Sequence, residues 1–232
     1  MTILFGGYEV VLCICCIITL AMAIYSYTHK KGALSKSLSK LALSSFFFSF
    51  VFLLAVLIND LEISFFLMSL QFAIFTAACS IWVVFIFKFL KINKNKFEKY
   101  IWLTYIFPII LIIASFINIF KPVLFKGINL LSVQIGPLSY AVYVYTLTLT
   151  VLALFILILY YNNRNIRDKK SILIMFILPL CTSLPSFITF GSSFYEFSIT
   201  SITFSIAIMF LFICLYLTNL MDITPNIDKK NN

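Results

Sequence analysis

Ionisable side chains are scarce in this chain. Eight Asp and Glu and a single His stand among 232 residues, and charged residues of both signs make up 11% of the total, against roughly 25% in globular proteins. The long apolar runs exclude Asp, Glu, Lys and Arg: Glu9, Asp60, Glu62, Lys88 and Glu196 fall at their ends. Intramembrane hydrolysis and proton relays need such groups within a span, so no enzymatic activity is expected. His29 lies beside Lys30 and Lys31, which excludes a multi-histidine metal centre and disfavours Cys-His catalysis. Glycine is equally sparse, at 6 residues, and no glycine-rich phosphate loop, HExxH or GxSxG pattern occurs. The six cysteines all sit in apolar runs, where a thiolate is expensive; Cys13, Cys15 and Cys16 cluster without an acidic or His partner. We read them as soft apolar fillers, and expect no metal and no cofactor.

What the chain has instead is hydrocarbon. Hydrophobic residues make up 62% of it, with 27 Phe, a surface for which water is the wrong solvent. Seven apolar runs reach the roughly 20 residues a bilayer crossing needs: residues 10–27, 41–58, 63–87, 100–120, 138–160, 171–190 and 198–220. Each is predicted to be a helix, because hydrocarbon offers a bare amide no partner and the alternation of a membrane strand is missing. The fold class expected is all-α, a seven-transmembrane-helix bundle over residues 1–220 followed by a short tail, 221–232. Connections of about a dozen residues are too short to bury a core of their own.

The net charge of +9 orients the bundle. Fifteen of the 17 Lys and Arg fall after runs one, three and five and in the tail, whereas the other side carries only Lys121 and Lys126. The positive-inside rule therefore predicts an outside amino terminus and a cytoplasmic carboxyl terminus, in agreement with an odd span count. Basic residues confined to short connections also remove any reason to expect nucleic acid as a partner.

Depth is the informative variable for polar side chains. The outer half of run five carries Ser139, Tyr140, Tyr143, Tyr145, Thr146 and Thr148, whereas 151–159 is purely apolar; run six places Thr182, Ser183, Ser186 and Thr189 outside, around Pro179 and Pro185. In run seven Ser198, Ser201 and Ser205 share one helical face and Thr200, Thr203 and Ala207 nearly the opposite one. Gln71 and Asn118 lie at similar depth. An outward-open ligand pocket involving Gln71, Asn118, Tyr140, Tyr143, Ser183 and Thr200 is the expectation; self-bonding or close helix packing by the same Ser and Thr is the alternative. Ser69, Ala73, Thr76 and Ser80 form a small-residue stripe on run three, with Gln71 about 200° from Ser69. These two faces need different neighbours, so this helix should be central. Inner halves are apolar except for Ser44, Ser45 and Ser49 in run two.

The order of features resembles the seven-helix amino-terminal sensor region of prokaryotic membrane histidine kinases. The resemblance rests on 67–87 as a third helix, a "P-I-I…N" stretch at 108–118, Gly136-Pro137-Leu138 before the Tyr143/Tyr145 pair, Pro179 in the sixth helix, and Leu220-Met221-Asp222-Ile223-Thr224-Pro225, similar to an "L-L-D-I-x-P" exit. It covers about 41–228 and implies an input module in the prokaryotic cell membrane that senses an extracellular or membrane-borne signal. Run seven would relay that signal to a histidine kinase or other signalling partner. No phospho-accepting His or nucleotide-binding region follows Pro225, so kinase activity is not expected in this chain. A small carrier or channel and a non-catalytic accessory subunit are the other two readings.

Overall fold

The computed structural model describes residues 2–28, 32–58, 60–90, 101–118, 124–129, 132–162, 172, 173, 175, 176 and 194–217. Among them are six long helices: α1 (Thr2–Thr28), α2 (Ala33–Leu57), α3 (Leu61–Phe89), α4 (Leu103–Ile117), α5 (Pro137–Asn162) and α6 (Phe194–Leu217). Five contain stretches long and apolar enough to cross a membrane, and α4 is a shorter apolar helix. Expected run six falls outside the described residues except for Ile172, Leu173, Met175 and Phe176; Ile172 and Met175 are buried in the core. The polar tail also lies outside them.

The all-helical expectation did not include a β-hairpin. Strands β1 (Phe125–Asn129) and β2 (Ser132–Ile135) pair antiparallel between α4 and α5, with Ile128 opposite Val133 and a register irregularity between Phe125 and Gly127. Two short strands carry too little periodicity to stand out beside long apolar helices, and polar residues interrupt both.

Local chemistry accounts for the helix ends. Asp60 caps α3, its Oδ1 accepting from the backbone N–H groups of Glu62 at 2.9 Å and Ile63 at 3.2 Å. Glu62 in the first turn and Lys88 in the last both complement the α3 dipole. Ser64 Oγ donates back to the carbonyls of Ala55 and Ile58, both at 3.2 Å, and closes the tight α2–α3 connection. Helix α2 begins at Ala33, not at the apolar boundary near residue 41. Its first two turns are Ser- and Lys-rich but pack on α1: Ser35 Oγ donates to Ser26 O at 2.5 Å and Ser39 Oγ to Ala23 O at 2.7 Å.

Helix α3 is central, packing on α2, α4 and α5. Its small-residue stripe is fully buried, and two of its members face α4: Ser69 accepts from Asn118 Nδ2 at 3.1 Å, and Ser80 donates to Thr104 O at 2.6 Å. Gln71 turns the other way, toward α2 and α6. Outside this core the surface is apolar, with Ile17 68%, Val144 65% and Phe155 58% exposed, an arrangement suited to lipid and not to water.

One junction follows from a proline. Pro108 lies inside α4 and has no N–H, so the Thr104 carbonyl four residues earlier loses its helical partner. That carbonyl instead accepts from Ser80 Oγ of α3 and from Tyr145 Oη of α5, the two hydroxyls lying 3.1 Å apart. Three helices thus meet on an acceptor that hydrocarbon would leave unserved. Combining Ser80→Ala with Tyr145→Phe should strand it and destabilise the protein by about 1–3 kcal/mol, more than the two single changes added. Thermal unfolding in detergent checks this. In a Pro108→Ala background, where an N–H is restored, the extra loss should vanish; its persistence would refute the assignment.

Candidate functional site

Serines four residues apart on a helix share a face. Ser45 and Ser49 of α2 meet Ser201 and Ser205 of α6 in this way, all four fully buried. Ser205 Oγ lies 3.3 Å from Ser45 Oγ and 3.0 Å from Ser49 Oγ, and Ser49 Oγ reaches Ser201 O at 3.4 Å. Because α2 starts early, Ser45 and Ser49 stand near the middle of their helix, at the level of the middle of α6. A polar seam therefore runs through the centre of the bundle.

Gln71 joins this seam to α3. Its Nε2 donates to Phe48 O at 3.2 Å and Ser201 Oγ at 3.3 Å. A carbonyl only accepts, so the Phe48 contact fixes which end of the amide faces α2. Gln71 Oε1 is left buried without a donor among the described residues. An unmet buried acceptor is costly, about 1–3 kcal/mol. The surroundings are aromatic: Phe48 packs edge-on against Phe204, with centroids 5.9 Å apart, and lies 5.8 Å from Phe75. A low-dielectric wall of this kind strengthens each polar contact it encloses.

The other expected site residues divide. Thr200, 6% exposed, adjoins Ser201 on α6. Tyr143 packs edge-on against Phe72, the residue after Gln71, with centroids 6.1 Å apart. Tyr140 is 59% exposed on the outside of α5, and Ser183 lies outside the described residues.

Asn118 belongs to a separate cluster. Its Nδ2 donates to Ser69 Oγ, and its Oδ1 accepts from Leu124 N at 2.7 Å. The Leu124 carbonyl accepts from Ser139 Oγ and Gly136 N, each at 2.6 Å. One amide thereby connects α3, the end of α4, the approach to the hairpin and the start of α5.

Sequence reasoning separated the two faces of α3 but did not place Ser45, Ser49, Ser201 and Ser205 among the ligand residues. The usable signal was the repeated four-residue spacing on two helices; which helix each pair meets is a tertiary fact. The site offers hydroxyl, amide and carbonyl groups in an apolar wall, chemistry suited to hydrogen-bonded recognition.

No curated protein matches the chain. Residues 11–225 match the family model described as the N-terminal 7TM region of histidine kinase, nearly the full length of the sequence. Apolar helices of membrane-crossing length, an apolar exterior and this match together make the chain a multi-pass membrane protein and a member of that sensor family.

Proposed function

We propose that the protein is a membrane-embedded receptor that detects an extracellular or membrane-borne signal and passes it to a separate histidine kinase or other signalling partner. In this reading it crosses the cytoplasmic membrane of a prokaryote seven times, amino terminus outside and carboxyl terminus inside. The observation that carries it is Gln71, which binds α2 and α6 together from α3 while keeping one buried acceptor unmet. A signal that offers a donor to Oε1 would stabilise one helix arrangement over another, and α6, the last described helix, would report the difference. Coupling requires unequal affinity for the two arrangements. Tyr143 and Thr200 flank this centre; Tyr140, near the start of α5, belongs to the approach from outside, and Ser183 is the remaining proposed ligand group. Asn118 holds the outer cluster in place.

The roles of the two amides separate experimentally. Gln71→Leu should leave the thermal stability of the unliganded protein within about 1 kcal/mol, yet abolish the stabilisation that a cognate signal confers. Asn118→Ala should lower stability by about 1–3 kcal/mol, because it orphans the buried Leu124 N–H, yet retain the ligand response. Unaltered signal-dependent stabilisation in Gln71→Leu would remove the pocket from consideration. Solute flux through reconstituted vesicles would favour a carrier.

Orientation is tested independently by cysteine labelling in a cysteine-free background. Ser132→Cys in the hairpin should react with a membrane-impermeant maleimide on intact cells, and Asn231→Cys only after lysis. The reverse pattern would overturn the topology.

A further inference from the structure

A second feature lies at the other end of the bundle from Asp60, where α2 begins and α3 ends. Lys36 and Lys40 are exposed and about 40° apart on α2. Between them in sequence, buried Ser37 accepts a 2.8 Å hydrogen bond from the Lys88 ammonium of α3, and Ser37 Oγ also donates to Ala33 O at 3.1 Å. Lys88 is therefore held beside α2 although its side chain is exposed. Lys36 precedes Ser37 and Lys40 follows it one turn later, so three cations from two helices stand at one end of the α2–α3 pair.

This placement conflicts with local helix chemistry. Positive charge near a helix N-terminus opposes the dipole. Nevertheless α2 carries Lys36 and Lys40 in its first two turns, has no acidic residue in the first turn, and is preceded by Gly32, which provides no side-chain cap. The carboxylates among the described residues, Glu9, Asp60, Glu62 and Glu196, all lie toward the opposite end of their helices. Positive charge from two helices is thus gathered at one end of a membrane-spanning pair, away from those carboxylates.

We infer that the groove between the start of α2 and the end of α3 binds the phosphate of an anionic phospholipid headgroup. Lys36 and Lys40 supply the α2 side and Lys88, positioned by Ser37, the α3 side. The lipid is the favoured source of phosphate because the apolar surface of α2, including Leu43 and Phe47, is exposed directly beyond Lys36 and Lys40 and offers a bed for acyl chains. Basic groups at this depth attract anionic lipid with additive strength, and the attraction weakens as salt screens it. Under the orientation proposed above the leaflet is the cytoplasmic one. The binding itself does not depend on signal sensing, and vesicles that carry the lipid in both leaflets test it whichever way the protein faces.

The experiment is thermal unfolding of the purified chain in vesicles of phosphatidylcholine alone or mixed with phosphatidylglycerol. The mixed vesicles should raise the midpoint by roughly 2–4 °C for each lysine engaged, and high salt should reduce the gain. K36Q/K40Q should lose most of that gain, and K36Q/K40Q/K88Q all of it, with midpoints in phosphatidylcholine not lowered. If the triple variant is already weakened there, the double variant decides, since its two side chains are exposed. Equal gains in wild type and K36Q/K40Q would overturn the site. Inorganic phosphate reproducing the full gain in phosphatidylcholine vesicles would overturn the lipid as its source.

Discussion

Hydrocarbon cannot hydrogen-bond, and this constraint organises the bundle. Each polar atom carried into the membrane must find a partner on its own helix or on a neighbour. Many hydroxyls here bond back to a carbonyl three or four residues earlier, as Thr19, Thr76 and Thr146 do. Others reach across, and those crossings tie specific helices together: Ser35 and Ser39 join α2 to α1, Ser45 and Ser49 join α2 to α6, and Ser80 joins α3 to α4. Contacts of this type in membranes average well below 2 kcal/mol each. Their number and placement therefore matter more than any single bond, and they favour a particular set of neighbours over alternatives with similar apolar packing.

Several of these placements were legible in the sequence. The angle between Gln71 and Ser69 requires two different neighbours, and α3 indeed presents Ser69 to α4 and Gln71 to α2 and α6. The abundance of apolar residues indicated the helices, and the short motifs around Pro108 and Gly136 pointed to the family that the whole-length match establishes. Other features could not be read. The start of α2 could not be read because Ser and Lys lower the hydropathy of its first turns, although Ser35 and Ser39 are buried against α1. Asn118 was expected in the pocket from its residue type and depth, and what it bonds to was not readable. Its partner, the Leu124 backbone N–H, is invisible to any side-chain pattern. The hairpin at 125–135 was hidden by its brevity.

Membership in the kinase input family gives the central seam a context. The proposed receptor role needs an element that can rest in more than one arrangement, and hydroxyl contacts among serines are weak and interchangeable. An apolar seam of branched side chains would interlock and resist displacement. Serines repeated along α2 and α6 give a low-relief contact between the helix that lies beside α1 and the helix nearest the carboxyl end. Gln71 adds a polar contact from α3 at one level of that seam.

The proline junction in α4 also bears on biogenesis. A segment released singly from the insertion machinery would carry the Thr104 carbonyl bare into oil, since Pro108 offers nothing in return. Helix α3 is synthesised earlier and holds Ser80 ready, whereas Tyr145 emerges only with α5. The economical course is for α4 to leave the translocon already leaning on α3, so that one imino acid imposes an order of assembly on the nascent chain.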